Sequence, residues 1–71
     1  MTVAELKDAL VKGYPVTLKK GTERYNFSFV SGIITRYDSQ RKVFVISAEV
    51  KRGNSVTICR PEDLSEWEPG K

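Results

Sequence analysis

The apolar positions of this chain change period once, from a helical spacing at the start to strict alternation afterwards. Val3, Leu6 and Leu10, with Ala9 beside them, make one stripe, while Glu5, Lys7, Asp8 and Lys12 fall on the opposite side, so residues 2–12 are predicted as an amphipathic helix. Thr2-Val3-Ala4-Glu5 has the spacing of a capping box, in which the Thr2 hydroxyl serves the Glu5 amide and the Glu5 carboxylate returns to the Thr2 amide. Gly13 supplies the left-handed residue that ends such a helix, and Pro15 cannot continue it.

From Pro15 the pattern alternates. Val16 and Leu18 define a first strand, and Lys20-Gly21-Thr22-Glu23 a turn. Tyr25, Phe27 and Phe29 then alternate with Asn26, Ser28 and Val30. The alternation breaks at Ser31-Gly32, where a residue without Cβ permits a sharp bend or a bulge, and Ile33-Ile34 follow as part of the same long bent strand. Asp38-Ser39-Gln40-Arg41-Lys42 is a turn, because Asp and Ser bond their own backbone. Val43 to Val50 is the third strand, with Phe44, Ile46 and Ala48 on one face and Val43, Val45 and Ser47 on the other. Lys51-Arg52-Gly53-Asn54 turns into a short fourth strand through Val56 and Ile58. Pro61-Glu62-Asp63-Leu64 reads as one helical turn, Ser65 to Glu68 as a closing strand, and Pro69-Gly70-Lys71 as a frayed end.

This order predicts a mainly β single domain over residues 1–71: a helix on a five-stranded, strongly bent antiparallel barrel over residues 15–68, the layout of SH3-like and Sm-like small barrels. In it Phe27, Phe44 and Ile46 are expected core residues, and Trp67 closes the barrel over Leu64. A chain of 71 residues buries only roughly 60% of its unfolded surface, which leaves little room for an enclosed substrate pocket.

Composition narrows the chemistry. There is no histidine and one cysteine, Cys59, so the usual zinc ligand sets, the commonest general base and an intramolecular disulfide are missing. The expectation is a cytoplasmic, non-enzymatic protein without metal or other cofactor. Cys59 beside Arg60 is read as a structural thiol, and Glu62 and Asp63 as acids placed for a helical N-terminus rather than for catalysis. No apolar run reaches the ~20 residues of a membrane span.

Charge is unevenly placed. Residues 1–60 hold eleven Lys or Arg against five acids, net +6, and residues 61–71 are net −3. A basic body fits a polyanionic partner. The candidate nucleic-acid residues are Arg36, Tyr37, Arg41, Lys42 and Arg60: Tyr37 offers a ring for stacking at the mouth of a basic turn, and the cations offer phosphate contacts. Lys51 and Arg52 lie at the other end of the third strand from Arg41 and Lys42, over 20 Å away at ~3.3 Å per residue. The alternative is a protein-interaction module that presents Leu64, Trp67 and the acidic end to a basic partner.

Two resemblances cover most of the chain. Pro15-Val16-Thr17-Leu18, Gly21, Gly32 to Asp38, and Ile58-Cys59-Arg60 resemble the pattern of Sm-like proteins. That resemblance implies RNA contact through Asp38 and Arg60; Gln40 and Lys42 stand where the family has its stacking side chain and Asn, and Pro61 where it has Gly. Gly13 to Leu18, Gly32 to Asp38, Ile58 and Pro61-Glu62-Asp63-Leu64 resemble the YolD-like proteins of Gram-positive bacteria and their phages, a family without an established activity. This second likeness implies a phage or prophage, DNA-linked context. Sm-like barrels join into rings, whereas Pro61 and the acidic closing segment here discourage edge pairing, so a monomer or weak dimer is expected.

Overall fold

A computed structural model describes residues 1–68. The frayed end read at Pro69-Gly70-Lys71 lies outside the described residues. Helix α1 (Val3–Lys12) starts on the expected capping box, with Glu5 N–H donating to Thr2 Oγ1 at 3.1 Å and Thr2 N–H donating to Glu5 Oε1 at 2.9 Å. Gly13 ends it at φ 72°, donating its N–H to the Ala9 carbonyl. Leu6 and Ala9 are buried and Leu10 packs beside them, as the stripe implied, while Val3 at its start is 37% exposed.

Six strands follow: β1 (Val16–Lys20), β2 (Glu23–Phe27), β3 (Phe29–Asp38), β4 (Val43–Arg52), β5 (Ser55–Cys59) and β6 (Leu64–Glu66). They form two three-stranded antiparallel sheets, ordered β2-β1-β6 and β3-β4-β5, with a 3₁₀ turn over Pro61–Asp63 between β5 and β6. Among the described residues no pairing closes the two sheets into a barrel.

The expected long bent strand is therefore two strands, divided at Ser28. There the chain leaves one sheet for the other, and Ser28 N–H already donates to the Lys51 carbonyl at 2.8 Å. The irregularity read at Ser31-Gly32 is a separate β-bulge, since Val30 pairs with Val50 and Gly32 with Glu49, leaving Ser31 extra. Its hydroxyl is held by the Glu49 carboxylate at 2.7 Å. Gly32 is not the cause: its φ is not positive, and a Cβ there would meet Glu49 at 3.7 Å, an ordinary contact. The bulge is secured by the serine.

The core contains Leu6, Val16, Leu18, Phe27, Val30, Ala48, Val50 and Leu64, with α1 laid against β3. Phe44, expected there, is 70% exposed, and Ile46 is only half-buried. The pairing explains this. Strand β5 covers β4 only from Ala48 to Arg52, so Val43 to Ser47 run on past the core with β3 on one side and, among the described residues, no strand on the other.

In β1, Val16, Thr17 and Leu18 are all buried, which means that both faces of this central strand are covered. On the face away from the core the Thr17 hydroxyl donates to Asn26 Oδ1 at 2.6 Å and accepts the Glu68 N–H at 2.8 Å. At the other end of the chain the Met1 ammonium donates to the Pro61 and Leu64 carbonyls, both at 2.7 Å, fixing the start of α1 over the 3₁₀ turn. Replacing Thr17 with Val keeps the volume and strands both hydrogen-bond partners. The variant is expected to lose about 1–3 kcal/mol in urea denaturation, with Thr17→Ser retaining most of the stability.

Candidate functional site

The hairpin that joins β3 to β4 carries most of the sequence-predicted nucleic-acid residues. Asp38 shapes its tip: Oδ1 accepts the N–H groups of Gln40 and Arg41 at 3.0 and 3.2 Å, the local bonding expected of an Asx turn. Arg41 Nε lies 3.9 Å from Asp38 Oδ2, a loose and exposed pair, and Lys42 makes no ion pair among the described residues. Lys42 adopts φ 56°, the left-handed region, and is the one non-glycine among the described residues to do so.

Tyr37 and Phe44 pair across the hairpin on one face, with ring centroids 5.2 Å apart and planes at 61°, an edge-to-face contact. Tyr37 is 56% exposed. Arg36 pairs with Val45 on the other face, because consecutive strand residues point to opposite sides, so it does not share a surface with Tyr37 as the sequence reading placed it. Arg60 lies at the end of β5, held by Asp63 through Nε at 3.2 Å and Nη2 at 3.4 Å. It lines a groove of about 420 Å³ with Phe44, Val45, Ile46, Pro61 and Met1. Phe44 thus connects the two groups, touching Tyr37 on one side and sharing the groove with Arg60 on the other.

Phe44 was missed as a surface residue. The available signal was that both faces of Val43 to Ile46 are apolar, one face more than a half-buried strand requires. Of the protein-binding pair, Leu64 is buried at 3% exposure and offers no surface, while Trp67 is 47% exposed rather than plugging a barrel. Trp67 borders a second groove, of about 340 Å³, with Tyr14, Pro15, Glu5, Asp8 and Glu66. Met1 lines both grooves.

The remaining cations are spoken for unevenly. Lys19 Nζ and Arg24 Nη1 reach the two Glu68 carboxylate oxygens at 2.6 and 3.0 Å, so one carboxylate offsets part of the positive charge at this end of the first sheet. The bond from Lys19 holds Glu68 below the usual carboxylate range, with Ser65 and Arg24 adding to it. The Thr2 backbone and hydroxyl lower Glu5 in the same way. Burial pushes the Cys59 thiol up, helped by the nearby Asp63 charge, so Arg60 beside it does not make a reactive thiolate. Among the described residues no three His, Cys, Asp or Glu are placed to hold a metal, and no helix is long and apolar enough to cross a membrane. Compared with protein-family models, curated proteins and solved structures, the chain has no match.

A carboxylate whose folded pKa is lowered stabilises the fold above its unfolded pKa, and that contribution disappears as pH falls through the folded value. The urea midpoint is therefore expected to fall as the solution is acidified below about pH 4.5. Glu68→Gln should be less stable at neutral pH and show a shallower acid decline, with the residual slope due to Glu5. Lys42→Gly is expected to leave the midpoint within about 0.5 kcal/mol of the parent, since relief of left-handed strain offsets the added freedom of the unfolded chain.

Proposed function

We propose that the β3–β4 hairpin binds single-stranded nucleic acid, without catalysis. The observation that carries this reading is the exposed Tyr37–Phe44 pair on the hairpin whose tip holds Arg41 and Lys42, Lys42 having no ion pair among the described residues. A planar ring accepts any base by stacking, and the adjacent cations track the backbone, which is the division of labour in sequence-tolerant single-strand binding. Arg36, on the opposite face of the hairpin, contributes to steering rather than to the stacking surface.

We also read the two sheets as the halves of an SH3-like or Sm-like small barrel, whose strand order β6-β1-β2 runs into β3-β4-β5 across Ser28. That reading agrees with the YolD-like and Sm-like motifs and with a phage or prophage setting in the cytoplasm. It does not supply a uridine pocket: the Asp38 carboxylate is already engaged by the hairpin backbone, and Arg60 by Asp63. Binding through an exposed ring pair needs neither.

Titration of labelled single-stranded RNA and DNA at two salt concentrations tests the proposal. With three or four phosphates neutralised, log K is expected to fall with log salt at a slope of roughly −2 to −3. Phe44→Ala and Tyr37→Ala should each weaken binding by about 1–3 kcal/mol, and exchanging Arg41 and Lys42 for Glu should abolish it. Absence of binding at low salt and high micromolar protein would reject the hairpin as a nucleic-acid site.

A further inference from the structure

The groove beside Trp67 differs in sign from the hairpin. Among the described residues its lining holds three carboxylates, Glu5, Asp8 and Glu66, against the Met1 ammonium and no lysine or arginine, in a domain whose charge is otherwise net positive. Tyr14 and Trp67, both about half-exposed, and Pro15 give it an aromatic and apolar surface. Two of the acids are partly committed: Glu5 to the Thr2 amide, and Asp8 to Lys12 at 3.1 Å. The Glu66 carboxylate has no hydrogen bond or ion pair among the described residues, and it stands next to Trp67 in the chain.

The chemistry that such a lining recognises is already present within the molecule. The Lys12 ammonium lies 5.8 Å from the Tyr14 ring centroid while paired with Asp8, a cation shared by an aromatic face and a carboxylate. We propose that this groove binds an extended basic peptide, with an arginine or lysine of the peptide set between the Trp67 ring and the Glu66 carboxylate. Its apolar stem lies along Pro15 and the aromatic rings, as long cationic side chains do when their heads remain near a carboxylate. The Glu66 carboxylate, which has no counter-ion among the described residues, disfavours a polyanion there, so the groove and the hairpin take partners of opposite charge.

Trp67 is the only tryptophan of the chain, so its emission reports on this groove directly. An oligo-arginine peptide is expected to shift that emission saturably, and a matched oligo-glutamate peptide to leave it unchanged. Glu66→Lys should weaken oligo-arginine binding by about tenfold or more, with Glu66→Gln weaker by a smaller factor, whereas Glu62→Lys, an equal change of charge outside the groove, should stay within about twofold of the parent. Replacing Arg41 and Lys42 with Glu, which removes the proposed nucleic-acid contacts, should not reduce peptide binding. Three outcomes overturn the inference: no saturable shift, equal weakening by Glu62→Lys and Glu66→Lys, or a single-stranded oligonucleotide that moves Trp67 emission as oligo-arginine does.

Discussion

The buried hydroxyl of Thr17 is the point on which the arrangement of the end of the described chain depends. It sits in the central strand of its sheet, has no exposure to solvent, and makes one bond as donor to Asn26 and one as acceptor from Glu68. A polar atom in that position is tolerable only with its bonds made. Meeting this requirement brings the end of the described chain across β1, and Asn26 secures it again by donating Nδ2–H to the Glu68 carbonyl at 3.3 Å. Two consequences follow from that crossing. Glu68 meets Lys19 and Arg24 and offsets part of their charge, and Trp67 is turned out beside α1 rather than into the core.

What the sequence disclosed and what it withheld divide along the range of the interactions involved. The capping box at Thr2 and Glu5, the glycine stop and the Asp38 turn each depend on groups a few residues apart, and each is present; the irregularity at Ser31 is also present, though Glu49, eighteen residues on, holds it. Strand parity was legible too, since the face assigned to Phe44, Ile46 and Ala48 is the one that the register gives. Parity does not say how far a sheet extends beyond its core. Phe44 shares its face with the fully buried Ala48 and is exposed only because β5 stops pairing at that residue. The division of the bent strand at Ser28 and the role of Glu68 depend on partners more than twenty residues away, at Lys51 and Thr17, and no local pattern announces them.

The candidate surfaces were legible in the same proportion. Tyr37, Arg41 and Lys42 fall on one hairpin, Tyr37 near the end of β3 and the two cations in the turn that Asp38 shapes. Arg36 and Leu64 do not belong with their expected partners, one turned to the opposite face and the other drawn into the core. Charge makes the resulting surfaces unlike. Acids line the groove next to the helix, cations stand on the hairpin, and Met1, anchored by its ammonium, separates them.

The overhanging half of β4 has a consequence for how the protein behaves in crowded solution. From Val43 to Ile46 the strand shows apolar side chains to both sides and, among the described residues, an unpaired backbone edge, the combination that lets chains add to one another. Lys42, held in its left-handed turn immediately before this run, and Arg41 beside it put two positive charges at the end of the open edge. In that position they act as gatekeepers, since edges that approach one another carry the same charge into contact. The cost of holding a lysine where glycine fits more easily is thereby connected to solubility, and a variant that neutralises the tip gives up that safeguard.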